Sequence, residues 1–254
     1  MITIVLPAYD EAAGLADLLA RIATRVTREH EILLVDDGST DETAAIAERA
    51  SERQPVRVLR HPVNQGYGRA LRTGLLAAAE RGGTVVTLDA DDTHDPALIE
   101  ALVAAIDDGY DLVVASRYQP GAAEVGVPAY RRALSRAASV VFKTAIGIQG
   151  LHDYTSGFRA YRGSLLAELV RVHGREGLVE DAGFASGFEL LLKAAALGAR
   201  VGEVPLVLRY DRKRGPSKLS VARTLPRYAK VVAANGLGAR RRDRLGAGYA
   251  ESRP

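Results

Sequence analysis

Two aspartates at the end of an apolar run carry the first chemical suggestion in this chain. Thr84-Val85-Val86-Thr87-Leu88 reads as a buried strand of a parallel sheet, and Asp89-Ala90-Asp91-Asp92 follows it directly. In extended backbone Asp89 and Asp91 project to one side and Ala90 to the other. Carboxylates that close repel each other unless a cation lies between them. Oxygen-only ligands suit Mg²⁺ or Mn²⁺, which bind through one or two carboxylates together with the phosphates of a substrate. The competing reading is an acidic turn ahead of a helix, since Asp95-Pro96 makes a good N-cap and first-turn pair.

The same juxtaposition recurs along the chain. Tyr9, Asp10 and Glu11 follow the first apolar run, Asp36 and Asp37 the second, and Ser116 and Arg117 a later one. Asp36-Asp37-Gly38 also has an ordinary reading as turn chemistry. The elements that must position these groups alternate. Strands are expected over 2–6, 32–35, 56–59, 84–88 and 111–115, with helices over 12–26, from Tyr67 to about Arg81, and from Asp95 to about Ile106. Ser39 and Glu42 have the spacing of a capping box for a further helix. Four alternations predict βαβ units and a mostly parallel sheet with helices on both faces. In such sheets ligands bind at the carboxyl ends of the strands, where the polar exceptions cluster. Pro7-Ala8-Tyr9 stands where a dehydrogenase would carry G-x-G-x-x-G, and no P-loop is present. The Gly-rich, Arg-containing loop of sugar nucleotidyltransferases is missing too.

The 254 residues, 47% hydrophobic and 26% charged, suffice for one large α/β domain. With no cysteine there is neither a disulfide framework nor a thiolate nucleophile. No His pair has metal-ligand spacing, and His94 is expected to be a loop residue. A strand starting at Ile2 leaves no room for a signal peptide, and no run reaches the ~18–20 apolar residues that span a bilayer. The expected location is cytoplasmic. The net charge of +3 hides an asymmetry: Arg209 to Arg244 contains twelve basic and two acidic residues, so the remainder is acidic. A basic C-terminal region favours an anionic partner. From Leu219 to Ala234 the spacing is helical, with Val221, Leu225, Tyr228 and Val232 on one face and Arg223, Arg227 and Lys230 nearly opposite. That suits a helix in a membrane interface or one packed on the protein's own core. The expected division is a catalytic domain over 1–220, an amphipathic helical segment over 221–239 and a basic, disordered tail over 240–254.

Several motifs stand in an order that resembles a known family. They are Pro7-Ala8-Tyr9-Asp10-Glu11, Val35-Asp36-Asp37-Gly38-Ser39-Thr40-Asp41, Asn64-x-Gly66, Asp89-Ala90-Asp91 with His94-Asp95-Pro96, Ser116-Arg117-Tyr118, Asp153 through Arg159, and Arg212-x-x-Gly215-x-Ser217-Lys218-Leu219. Over residues 2 to 220 the chain resembles a family 2 glycosyltransferase of the dolichyl- or polyprenyl-phosphate mannose synthase type. The resemblance implies an A-type glycosyltransferase fold, Rossmann-like with a mostly parallel sheet. It implies that Pro7, Tyr9, Glu11, Val35 and Asp37 hold the nucleotide's base and ribose. Asp89, Ala90 and Asp91 would face the diphosphate and its Mg²⁺ or Mn²⁺, Arg212 and Lys218 would close over that diphosphate, and Arg117, Arg131 and Ser135 would receive the acceptor phosphate. Ala8 and Asp10 replace the commoner Thr and Asn, which leaves the base open between GDP- and UDP-hexose donors. Asp92-Thr93 departs from the family pattern as well.

Charge explains why such residues suit the reaction. A nucleoside diphosphate leaves only if its growing negative charge is neutralised, by a divalent ion as Lewis acid and by cations such as Arg212 and Lys218. A sugar hydroxyl acceptor needs a base, whereas a phosphate monoester, with a second pKa of ~6, is already largely dianionic at neutral pH. Asp153 is the leading carboxylate beside the acceptor, with Asp181 and Glu189 behind it. Arg131 and Ser135 are i, i+4 on an expected helix and face the same way. Tyr130, Leu134, Ala137 and Val141 lie near that stripe. The reading is an inverting, metal-dependent transfer of mannose or glucose to a polyprenyl phosphate, with Asp91, Asp153, Arg212 and Lys218 as the residues of the reaction. Membrane contact would be peripheral or through a separate membrane subunit. The alternatives are transfer to a sugar hydroxyl and a basic, non-enzymatic nucleic-acid-binding protein; the acidic strand ends count against the second.

Overall fold

The computed structural model describes residues 1–215, 217, 218 and 220–240. Its strands and helices are β1 (Ile2–Ala8), α1 (Ala12–Arg25), β2 (His30–Asp36), α2 (Thr43–Ser51), β3 (Val56–Arg60), α3 (Tyr67–Ala79), β4 (Thr84–Thr87), α4 (Leu98–Asp107) and β5 (Leu112–Ser116). There follow β6 (Ala123–Val125), α5 (Ala129–Ala145), β7 (Arg159–Arg162), α6 (Gly163–Gly177), α7 (Ser186–Ala196), β8 (Val201–Pro205), β9 (Val207–Arg209) and α8 (Val221–Arg240). Seven strands form one sheet in the order β3-β2-β1-β4-β7-β5-β8, and β6 pairs with β9 beside it.

Period-two side-chain alternation builds the layers. Val5, Leu33, Val85, Leu112 and Val114 face a core shared with α3, α5, α6 and α7. Ile4, Leu6, Ile32, Leu34, Val86 and Val113 face the opposite core, filled by Leu15, Leu18, Leu19 and Ile22 of α1 and by Ile99, Leu102, Val103 and Ile106 of α4. Helices therefore cover both faces, as the alternation predicts. One strand departs from it: β7 lies antiparallel between β4 and β5, with Val86 opposite Ala160 and Val113 opposite the same residue. Arg159, 1% exposed, anchors this insertion by donating to the carbonyls of Ser156 (2.7 Å), Tyr154 (3.0 Å) and Gly187.

The C-terminal helix packs onto the body. Thr224 and Val231 are buried, and the Tyr228 ring lies tilted 5.2 Å from Phe142 and edge-on 5.3 Å from Phe188. Val232 also meets this core, but Leu225 is 53% exposed, so the inward face is offset from the expected stripe. The expected tail beyond Arg240 lies outside the described residues, as do Pro216 and Leu219. Among the described residues no helix is long and apolar enough to cross a membrane.

Candidate active site

A cleft of about 760 Å³ opens at the carboxyl ends of β1, β2 and β4. At one end the β1–α1 turn is shaped by Asp10, whose φ of 48° lies in the left-handed region that Asp tolerates. Its backbone N–H donates to Ser39 Oγ at 2.9 Å, and Thr40 N–H donates to its carboxylate at 2.8 Å. Glu11 N–H donates to Thr43 Oγ1 (2.8 Å) and Ala12 N–H to Asp41 Oδ2 (3.1 Å). Two backbone donors at the start of α1 are thus satisfied from the neighbouring loop. This corrects the expected capping box: Ser39 serves the β1–α1 turn, and α2 starts at Thr43 without a side-chain cap.

Asp37 fastens a second loop. It accepts N–H groups from Gln65 (3.0 Å) and Gly66 (2.8 Å) and bonds His61 Nδ1 at 2.6 Å, while His61 Nε2 meets Thr73 Oγ1 at 3.0 Å. Gly66 has φ 96°, and a Cβ there would stand 2.4 Å from the Ala182 carbonyl oxygen, so the turn requires glycine. Pro7, Ala8, Tyr9, Glu11 and Asp37 line the cleft. Val35 does not: fully buried, it packs beneath Gly74 of α3, so its expected nucleotide contact is replaced by a core role.

Asp89, Ala90 and Asp91 stand in the cleft wall. Tyr67 OH donates to Asp89 Oδ1 at 3.0 Å, and Gly157 faces both Asp89 oxygens. Burial raises the Asp89 carboxyl above its ordinary value, His94 opposes this and the Asp91 charge adds to it. Asp91 Oδ1 accepts from Thr93 N–H (3.2 Å) and Thr93 Oγ1 (2.7 Å), while Oδ2 takes the Lys213 ammonium. Burial alone would raise Asp91, but Lys213, His94 and Thr93 outweigh it and hold the carboxyl below its ordinary value. These hard oxygen donors fit Mg²⁺ or Mn²⁺, and a cationic ammonium already stands on one of them.

The basic segment after β9 covers this end. Lys218 Nζ reaches Glu11 Oε1 at 2.6 Å, the Asp10 carbonyl at 2.9 Å and the Tyr9 carbonyl. Lys218 thus lines the cleft. Arg212 does not: it is absent from the cleft lining, and its charge bears on Arg21, on α1. Lys213, one residue further along the turn, faces the cleft in its place.

The other end is basic. Arg117, Arg131 and Ser135 line it, with Arg131 and Ser135 on α5 as their spacing predicts. Arg117 holds Asp153 in a two-pronged pair, Nε to Oδ2 and Nη2 to Oδ1, both 2.7 Å. Nη2 also donates to Thr155 Oγ1 (2.6 Å) and Nη1 to Ser135 Oγ (3.2 Å). Asp153 is fully buried and also accepts N–H groups of Arg117, Thr155 and Ser156 at 3.1 Å. Burial would raise its carboxyl, yet Arg117 and these bonds hold it below the usual range. Arg117 is raised in turn, Asp153 outweighing the effect of burial. The expected role of Asp153 as a carboxylate beside the acceptor is thereby corrected: it is the counter-ion that fixes Arg117. The lesser candidates are engaged too, Glu189 with Lys193 and Asp181 with Arg227 at 3.0 Å. Arg131 donates to Ser217 Oγ at 2.9 Å and lies over the Tyr130 and Tyr210 rings.

The sequence reading passed over Lys213, Tyr67, His94, Arg223 and Arg227, all of which line the cleft. His94 lies in the loop ahead of α4, as expected, but is buried there: 5% exposed, its ring tilts against Phe158 with centroids 5.1 Å apart. Its place three residues after Asp91 was the available signal; the arginines came from a helix whose basic face was read toward a membrane interface rather than the cleft.

Comparison with known proteins agrees with this architecture. The model of "Glycosyl transferase family 2" matches residues 3–170. A polyprenol monophosphomannose synthase of Mycolicibacterium smegmatis is 34% identical over 220 residues, covering 85% of this chain and 80% of that protein. An undecaprenyl-phosphate mannosyltransferase of Micrococcus luteus is 35% identical over 218 residues, covering 85% and 86%. A dolichol-phosphate mannosyltransferase of Pyrococcus furiosus is 33% identical over 91% of this chain, which spans 62% of that longer protein. Among solved structures, a glucosyl-3-phosphoglycerate synthase from Mycobacterium tuberculosis, in complex with Mn²⁺, UDP and glucosyl-3-phosphoglycerate, superposes with a TM-score of 0.67 at 22% identity over 93% of this chain and 80% of that one. That likeness is one of fold, the A-type glycosyltransferase fold. On these matches the chain belongs to glycosyl transferase family 2.

Proposed function

We propose that this enzyme transfers a hexose, mannose or glucose, from a GDP- or UDP-sugar to the phosphate of a polyprenyl phosphate, inverting the anomeric centre in one displacement. The observation that carries this reading is the distribution of charge along the cleft. Among the described residues, its acidic lining groups Glu11, Asp37, Asp89 and Asp91 all belong to the donor end, while the acceptor end contributes Arg117 and Arg131 beside Ser135. A hydroxyl acceptor would need a base at that end. A phosphate dianion needs only positive charge and orientation, which Arg131, Ser135 and the fixed Arg117 supply.

Asp89 and Asp91 would hold Mg²⁺ or Mn²⁺, which when bound supplies Lewis-acid neutralisation of the leaving diphosphate. Tyr67 orients Asp89, and Lys213 and Lys218 carry positive charge to the same end. Tyr130, Leu134, Val140 and Val141 of α5 are exposed, with Leu134 at the cleft mouth, and would meet the apolar chain of the acceptor or the membrane that carries it. The polyprenyl-phosphate mannosyl transfer named for the relatives supports the same acceptor class.

Turnover on a polyprenyl phosphate compared with turnover on free sugars tests the acceptor. Transfer only to the lipid phosphate is expected, and preferential transfer to hydroxyls would overturn the reading. Thermal shifts with GDP-, UDP- and dTDP-sugars, with and without Mn²⁺, identify the donor: one nucleotide class should stabilise, more strongly with metal.

A further inference from the structure

Lys213 occupies a place that the donor-end chemistry does not explain by itself. Its ammonium rests on Asp91 Oδ2, and Thr93 already occupies Oδ1, so both oxygens of this aspartate are engaged. The pair is sheltered, with side-chain exposures of 11% for Lys213 and 15% for Asp91. Five residues on, Lys218 occupies Glu11 and the Tyr9 and Asp10 carbonyls. Both lysines thus stand on acceptors of the donor end itself.

We propose that Lys213 is the resident counter-cation of Asp91 in the donor-free enzyme, so that a divalent ion gains Asp91 only together with a nucleoside diphosphate, whose phosphates then take over the Lys213 ammonium. This rests on the donor site assigned above and adds an order of binding to it.

The charge balance gives the reason. Asp89, Asp91 and Glu11 face Lys213 and Lys218, which leaves one net negative charge among the five groups. A dication entering alone meets like charge at close range, in a cleft where low dielectric strengthens the repulsion. A diphosphate brings at least two negative charges, offers Lys213 new oxygen partners and supplies ligands that Mg²⁺ and Mn²⁺ favour. The lysine remains useful after the exchange, since it then faces the oxygens on which charge grows as the sugar leaves.

Mn²⁺ binding, read from the loss of the free-ion EPR signal, tests this with the wild type, Lys213→Gln and Lys213→Arg, each with and without GDP and UDP. For the wild type, nucleotide should tighten Mn²⁺ binding by about tenfold or more, within the ordinary range of coupling between two ligands. Lys213→Gln should bind Mn²⁺ without nucleotide about tenfold more tightly than the wild type and show correspondingly less coupling. Lys213→Arg should keep the wild-type order, which separates loss of charge from loss of folding. Lys213→Gln should also transfer sugar more slowly, so metal affinity and turnover move in opposite directions, a split that a purely structural lysine does not produce. Equal Mn²⁺ affinity of the wild type and Lys213→Gln without nucleotide would overturn the role of Lys213 alone. Failure of Mn²⁺ to bind any of the three proteins with either nucleotide would overturn the donor site as well.

Discussion

At the end of the cleft proposed to hold the donor, Asp91 meets Lys213 and Glu11 meets Lys218, partners separated by 122 and 207 residues of chain. At the end proposed to hold the acceptor, Arg117 meets Asp153 across 36 residues, and every oxygen of that carboxylate is committed. The donor-end pairs join flexible ammonium groups to carboxylates on the cleft wall. The acceptor-end pair locks a planar guanidinium to a carboxylate with no exposed surface. Substrate can exchange with the first kind of partner. The second fixes a cation in place before any substrate arrives. The basic segment also joins the two ends, because Ser217 accepts from Arg131 while Lys213 and Lys218 face the donor side.

The largest expected effect separates the two kinds of pair by stability. Asp153→Asn leaves the Arg117 guanidinium buried without its counter-charge and should cost about 3–5 kcal/mol, read from the denaturant midpoint. Asp91→Asn should cost no more than about 1 kcal/mol, because the Lys213 ammonium can turn back to water. Equal losses would mean that the donor-end pair is built in as firmly as the other.

The next effect reverses the ranking. In hexosyl transfer, Asp91→Asn should slow the enzyme by roughly 10²–10³, the scale of losing one group that stabilises a developing charge. Steady-state rates at saturating donor and acceptor check this. A variant with full activity would remove Asp91 from the chemistry.

The contrast also explains what the sequence could and could not reveal. Asp89 and Asp91 were legible because charge is out of place at the end of an apolar run, and the βαβ alternation followed from period and turn residues alone. Arg131 and Ser135 were named by the resemblance, and their i, i+4 spacing predicted the shared face whatever the helix packs against. The antiparallel direction of β7 was not legible, since a four-residue strand reads the same in either direction. Neighbours in a turn are equally ambiguous: nothing local decides that Lys213 rather than Arg212 enters the cleft. Asp153 misled for a related reason. A carboxylate awaiting substrate and one already paired with a remote arginine look identical until the fold brings Arg117 beside it.

Acid should sharpen the acceptor-end half of the comparison. The folded-state pKa of Asp153 is depressed, so its contribution to stability is present above the ordinary carboxylate value of about 3.9 and is lost as pH falls toward the folded value. The stability gap between wild type and Asp153→Asn should therefore be constant near neutrality and narrow below about pH 4, as the native carboxyl takes up its proton. Denaturant melts at pH 7, 5 and 3.5 read it directly. A gap that widens with acid would contradict the depressed carboxyl and the role of Arg117 in producing it.

The smallest effect concerns the rim. Leu225 and Tyr228 are one turn apart on α8, yet Tyr228 packs between Phe142 and Phe188 while Leu225 stands 53% exposed at the cleft mouth. Leu225→Ala should leave stability within about 0.5 kcal/mol, because little is buried to lose. If the acceptor's apolar chain crosses this rim, the same substitution removes contact with it. The KM for a long-chain polyprenyl phosphate should then rise roughly five-fold, equivalent to about 1 kcal/mol of apolar burial. For a water-soluble short-chain phosphate that ends before the rim, KM should not move. The dependence on chain length carries the inference, since a general disturbance of α8 would raise both values through Arg223 and Arg227. Equal KM changes for the two acceptors would place the lipid chain elsewhere, with the exposed apolar side chains of α5 as the remaining path away from the phosphate site.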